Sequence, residues 1–291
     1  MIRQRKWTVK VYPRKSYLEN YRRWCNSFFH SSLNTTRKKA TSKMTAVLQD
    51  EKGIILTVNE NNGVYTLRLN RGPNVINPEM VQLLSNTISK VEEAPHPKAL
   101  VVTGSGKFFS NGLDLKFLQS SSPSQKGKMI SDFWEVLARL LVMDCRTVAA
   151  INGHGFGAGL FLALACDYRI MRTKRGYLCW PEANLGMRLA KGFSELTKAK
   201  VTDPAVVREG VLTGKRYGSG AALKAKLIDM ECPIEQLEEQ SATLAEQGLP
   251  ENLGLQYFNP DSYRMIKIEL YVDAYRALTS GKFEAPPESR L

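Results

Sequence analysis

Between Ile151 and Ile170 the chain reads INGHGFGAGLFLALACDYRI. Gly153, Gly155, Gly157 and Gly159 alternate there with other residues, after the apolar Val148–Ile151 and before the apolar run Leu160–Ala165. That order is a strand, a glycine-rich turn and a buried helix. A helix N-terminus carries N–H groups without intrahelical acceptors and the positive end of the helix dipole. Glycine lets a ligand come close to the backbone, so the turn suits a negative charge. Tight packing of strand on helix asks for the same glycines, and the turn alone leaves both uses open. The stretch holds neither G-x-x-x-x-G-K-[ST] nor G-x-G-x-x-G, which speaks against a phosphate or dinucleotide cradle.

Other residue types that do chemistry are sparse. His30, His96 and His154 lie far apart and have no carboxylate or cysteine neighbours at ligand spacing, so no metal site is expected. The five cysteines, Cys25, Cys145, Cys166, Cys179 and Cys232, form no C-x-x-C pair, and their odd number fits a reducing compartment. No Ser-His-Asp order is visible. The chain has 291 residues, 43% hydrophobic and 24% charged, the balance of a globular protein with one large domain. Of its net charge of +13, residues 1–43 carry +11, with twelve Lys/Arg against the single acid Glu19. The body is nearly neutral and lacks aromatic–basic motifs, so the basicity is no sign of nucleic-acid binding by the body. No apolar run has the length to span a bilayer.

The elements that must position the turn follow in order. Residues 1–43 read as an organelle transit peptide, a basic tail, or an extension upstream of a start at Met44. Gly53–Val58 and Val64–Leu69 are strand-like, with a hairpin signal at Asn62-Gly63. Asn77-Pro78-Glu79 starts a helix that repeats Met80, Leu84, Ile88 and Val91 and stops before Pro95 and Pro97. Ala99–Thr103 reads as a buried strand, and the glycine-punctuated GSGKFFSNGLDLKFL follows at 104–118. Ser120–Lys128 has the composition of a mobile surface loop, and Met129–Asp144 is amphipathic. Strand-like Tyr177–Trp180 and helical segments near Gly192–Val201, Pro204–Leu212, Gly220–Leu227 and Pro233–Gln247 complete an α/β chain with a helical C-terminal part. Asp167 and Arg169 read as a buried strand-end ion pair or cap.

FFSNGLDLKFL at 108–118 and INGHGFGAGLFLALACDYRI at 151–170, with PEANLG at 181–186, resemble in order and separation the signature segments of the crotonase (enoyl-CoA hydratase/isomerase) superfamily. SNGLDL and the segment from Asp167 to Met187 most resemble its peroxisomal Δ3,Δ2-enoyl-CoA isomerases. The resemblance implies a ββα spiral core over residues 44–232, a helical and oligomer-forming region over 233–291, and a homotrimer or hexamer. It implies that the backbone N–H groups of Asn111 and Ala158 hold the thioester oxygen of an acyl-CoA, with Ser110, Gly112, Leu113, Asp114, Leu115 and Gly157 around the substrate. Glu182 matches the base that carries a proton from C2 to C4, and the apolar Trp180, Pro181 and Leu185 beside it tend to raise its pKa. Lys116 and Lys267 are candidates for CoA phosphates. No cofactor is implied beyond the CoA that belongs to the substrate.

Hydratases of the superfamily carry a second carboxylate where this chain has Phe161, which argues for isomerisation over water addition. Asp114 is expected to cap or brace its loop and His154 to pack in its turn. The C-terminal Ser289-Arg290-Leu291 is a variant of the S-K-L peroxisomal address read by the import receptor, so the expected location is the peroxisome, with dual targeting through residues 1–43 allowed. Two other readings stay open: enoyl-CoA hydration or another crotonase reaction, and a non-catalytic CoA- or RNA-binding relative that uses the basic extension.

Overall fold

In a computed structural model, the structure describes residues 45–248, 254–257 and 259–280. The basic extension and the Ser-Arg-Leu end lie outside them. Strands β2 (Ile54–Asn59) and β3 (Val64–Leu69) alternate buried and half-buried residues and form an antiparallel hairpin. The turn closes as Asn62 and Gly63 donate their N–H groups to the Asn59 carbonyl at 3.2 and 2.9 Å. An edge strand, β1 (Thr45–Glu51), pairs with β2. It shows one buried residue, Gln49, so no alternation marks it in the sequence; Gln49 Nε2 donates to Thr87 Oγ1 at 3.0 Å.

Helix α1 (Pro78–Glu93) starts at Asn77, whose side chain accepts from Met80 N–H at 2.9 Å, and buries Met80, Leu84, Ile88 and Val91 on one face. It returns the chain to β4 (Ala99–Gly104), buried throughout and parallel to β3. After the short β5 (Phe108–Ser110) comes α2 (Leu115–Ser120). The expected loop over Ser120–Lys128 is instead helical from Pro123. Ser122 caps α3 (Pro123–Leu141), accepting from Gln125 N–H while the Gln125 side chain accepts from Ser122 N–H. Serine, first-turn proline and glutamine form a capping box that outweighs the loop-like composition.

Strand β6 (Arg146–Ile151) is followed by a short strand, β7 (His154–Phe156), inside the glycine-rich turn, and then by α4 (Ala158–Ala165), all of whose residues are buried. β8 (Tyr168–Arg172), β9 (Leu178–Cys179) and a 3-10 turn, Glu182–Leu185, follow. Next come α5 (Lys191–Lys200), α6 (Pro204–Thr213), α7 (Ser219–Lys224), β10 (Met230–Cys232) and α8 (Ile234–Gln247). The last helices are α9 (Pro260–Leu270) and α10 (Val272–Thr279), split at Tyr271 where the sequence reads as one amphipathic segment.

Strands β1-β2-β3-β4-β6-β8-β10 form one seven-stranded sheet, antiparallel through β3 and parallel beyond it. β5, β7 and β9 form a second, all-parallel sheet. Helix α4 sits in the main core, where Phe161 stacks on Phe193 of α5 at 4.3 Å and Trp134 of α3 meets that ring edge-on at 5.6 Å. A smaller apolar cluster on the other face, including Val101, Ala150 and Leu237, packs under α8. Among the described residues no helix is long and apolar enough to cross a membrane.

Candidate active site

The loop after β5 is tied down by a residue that periodicity does not single out. Asn74, fully buried at φ +50°, donates through Nδ2 to the carbonyls of Leu69, Phe108 and Phe109 at 3.1–3.2 Å, and its own carbonyl accepts from Ser110 Oγ at 2.7 Å. Ser110 Oγ in turn accepts from Gly112 N–H at 3.2 Å. Ser110 is fully buried, and its hydroxyl braces the loop. The Gly72-Pro73-Asn74 turn is the sequence signal that could have pointed here.

The assignment of Asn111 as an N–H donor to substrate is corrected by its backbone. Asn111 N–H donates to the Pro73 carbonyl at 2.9 Å and is spent. On the next residues, Ile76 N–H donates to the Gly112 carbonyl at 2.8 Å and Asp114 N–H to the Ile76 carbonyl at 2.9 Å, a one-residue parallel bridge centred on Leu113. Backbone groups of neighbouring residues in an extended segment point to opposite sides, so the Leu113 N–H faces away from Ile76. No acceptor is recorded for it among the described residues. Leu113 is therefore the free amide of this loop.

The second loop meets the first at glycines. Gly112 has φ +87°, and a Cβ there would stand 2.7 Å from the Phe156 carbonyl oxygen and 3.5 Å from Ala158 N, so no larger residue fits. Gly157, at φ +50°, turns the chain into α4. Ala158 is the first residue of that helix, and its N–H belongs to the first turn, ahead of the bond from Phe161 N–H to the Gly157 carbonyl at 3.1 Å. The Gly112 turn, one residue before Leu113, thus lies against the Ala158 amide, with the helix dipole behind that amide.

Glu182 opens the 3-10 turn after β9 and reaches the same place: a Cβ on Gly157 would lie 3.8 Å from Glu182 Oε1. Desolvation by burial holds its carboxyl above the ordinary glutamate value of 4.5, a rise partly offset by its own backbone N–H. Its Oε2 is buried and has no hydrogen-bond partner. A carboxylate so placed gains by taking a proton, which is the chemistry of a base. At the position of the hydratases' second carboxylate stands Phe161, fully buried and stacked in the core.

The remaining candidates separate. Asp114 caps α2, accepting from the N–H groups of Lys116 and Phe117 at 3.0 and 3.2 Å. Leu115 and Lys116 are exposed on the first turn of that helix. Lys267 is removed from the phosphate candidates, since it is 4% exposed and its Nζ bonds Asp167 Oδ2 at 2.7 Å and the carbonyls of Met143 and Cys145 at 3.0 and 2.9 Å. Of the two expected roles of Asp167, the cap holds and the ion pair with Arg169 does not. Asp167 serves Lys267 and caps Thr147 N–H, while Arg169 stands 3.6 Å from Asp229. His154 lies among the rings of Phe108, Phe156 and Tyr177, and burial together with Lys107, Arg216 and Arg175 lowers its pKa. Burial pushes the Cys145 and Cys166 thiols up to about 12, which keeps them un-ionised and poor nucleophiles.

Residues 59–274 match the family model of enoyl-CoA hydratase/isomerase. A peroxisomal enoyl-CoA delta isomerase 2 from Arabidopsis thaliana is 31% identical over 69% of this chain and 85% of its own length. A mitochondrial enoyl-CoA hydratase from Pongo abelii is 31% identical over 65% of this chain and 64% of its own. The crystal structure of human mitochondrial delta3-delta2-enoyl-CoA isomerase shares the fold, with a TM-score of 0.69 at 22% identity over 78% of this chain and 87% of that one. With two loops joined at Gly112 and Ala158, a desolvated glutamate beside them and a family match across most of its length, the chain belongs to the enoyl-CoA hydratase/isomerase family, the crotonases.

Proposed function

We propose that this protein is a Δ3,Δ2-enoyl-CoA isomerase, moving the double bond of a 3-enoyl-CoA to the trans-2 position in fatty-acid β-oxidation. The thioester oxygen sits between the N–H groups of Leu113 and Ala158. As a proton leaves C2, charge grows on that oxygen, and each amide stabilises it by about 3 kcal/mol. Glu182 takes the proton from C2 and returns it to C4, so the carboxylate is regenerated within one turnover. Water addition needs a second group to activate and position water. The observation that carries the choice is that Phe161 is stacked on Phe193 at 4.3 Å where that group would stand, leaving Glu182 as the base.

The enzyme acts in the peroxisome, the compartment named for the Arabidopsis relative. It works as a trimer. Met265, Ile266 and Leu270, which are 54, 62 and 67% exposed on α9, supply an apolar face for neighbouring subunits.

Hydratase relatives make water addition the second reading. Supplying a trans-2-enoyl-CoA and assaying 3-hydroxyacyl-CoA separates the two. Isomerisation predicts at most a trace of hydroxyacyl product beside rapid conversion of the 3-enoyl substrate, and efficient hydration would overturn it.

A further inference from the structure

A second concavity lies on the other face of the seven-stranded sheet, where β3, β4 and β6 end beneath α8, and it shares none of Leu113, Ala158 or Glu182. Its volume is about 280 Å³. At roughly 30 Å³ for a water-sized group, that holds about ten non-hydrogen atoms, too few for a CoA nucleotide. The floor and roof offer the buried apolar side chains of Val101, Ala150 and Leu237 among the hydroxyls of Thr66, Thr103 and Ser241. Two guanidinium groups, Arg68 and Arg172, line it as well.

Arg172 is under-used for so enclosed a cation. Its Nε is buried without a hydrogen-bond partner, its Nη1 reaches the Asn152 carbonyl only at 3.5 Å, and among the described residues no carboxylate pairs with it. Arg169, on the same strand, shows the ordinary outcome, giving Nε to the Leu227 carbonyl at 2.8 Å and Nη1 to the Cys166 carbonyl at 3.1 Å beside Asp229. Buried donors are nearly always satisfied, so the exception at Arg172 asks for an acceptor. Arg68 is held by Glu238 at 3.2 Å, but that carboxylate is 82% exposed and easily turned to solvent. An anion between two guanidiniums gains charge-assisted bonds from both.

We propose that this cavity binds a small organic carboxylate, its carboxylate on Arg172 and Arg68 and its short apolar body against Val101, Ala150 and Leu237. The test uses the full chain, titrated calorimetrically with hexanoate, with 1-hexanol (the body without the charge) and with inorganic phosphate (the charge without the body). The expected result is saturable one-site binding of hexanoate, with each partial probe at least about tenfold weaker. Arg172→Gln weakens hexanoate about tenfold or more, and Arg68→Gln weakens it in the same direction and stands in if Arg172→Gln does not fold. Glu182→Gln leaves hexanoate affinity unchanged. Absence of saturation up to about 10 mM, phosphate binding as tightly as hexanoate, indifference to the folded arginine variants, or loss of binding in Glu182→Gln would each overturn the proposal.

Discussion

The proposed mechanism rests on one side chain, Glu182, whose charge is disfavoured by its surroundings. Replacing it by glutamine is predicted to stabilise the protein at neutral pH. Because the folded carboxyl holds its proton above the ordinary value of 4.5, wild-type stability falls as pH rises from there through the folded pKa and stays lower beyond it. The glutamine variant lacks that loss. Thermal melts of the two proteins should therefore diverge near pH 7, with the variant higher, and converge below about pH 4. The same displacement sets the acid limb of kcat/KM: activity disappears as pH drops through the raised pKa, and a limb at an ordinary glutamate value would show the carboxylate to be solvated. Glu182 came from the sequence through the family resemblance that PEANLG carries, and the structure places it, desolvated, beside Gly157. The donor amide was not legible in the sequence. Whether Asn111 or Leu113 keeps a free N–H depends on Pro73 and Ile76, nearly forty residues earlier, and local pattern holds no trace of that pairing.

Two loops and one buried lysine decide whether the elements meet correctly. Gly112→Ala adds a Cβ 2.7 Å from the Phe156 carbonyl at a backbone angle alanine avoids. It should cost about 1–3 kcal/mol of stability by denaturant titration and lower kcat more than it raises KM, because the strain falls on the loop that offers the Leu113 amide. Lys267→Met leaves Asp167 partnered, among the described residues, by Thr147 N–H and the Tyr263 hydroxyl and should cost about 3–5 kcal/mol. The folded fraction of that variant should keep the wild-type KM for acyl-CoA, whereas a raised KM alone would restore Lys267 to the phosphate site. Helices α1, α3, α5, α6 and α8 were readable because apolar spacing or a first-turn proline marks them. The start of α3 hid inside SSSPSQKGK, where composition argues for a loop and only the Ser122–Gln125 pairing argues for a helix. Strand β1 buries a polar residue and otherwise faces solvent, so nothing in its sequence announces a strand.

At the scale of the molecule, the seven-stranded sheet separates two environments. The face under α1, α3 and α4 carries the large core and the candidate active site, while the face under α8 carries the smaller cluster and the arginine-lined cavity. The alternation of strands and helices made the α/β class readable, but the second sheet of β5, β7 and β9 was not, since each strand is at most three residues long and pairs across more than twenty. The proposed trimer makes its own prediction. Ile266→Glu places a charge in the exposed apolar face of α9, and sedimentation equilibrium should show the mass fall from about three times 32.7 kDa toward one. A wild-type protein that sediments as a monomer at micromolar concentration would contradict the assembly.

The most direct measurement is turnover of a 3-enoyl-CoA by wild type and Glu182→Gln, followed by the absorbance of the conjugated product, with substrate affinity measured in parallel. The account predicts rapid conversion by the wild type and a kcat about 10²- to 10⁴-fold lower in the variant, with substrate still bound. A variant that converts the substrate at the wild-type rate would show that another group moves the proton.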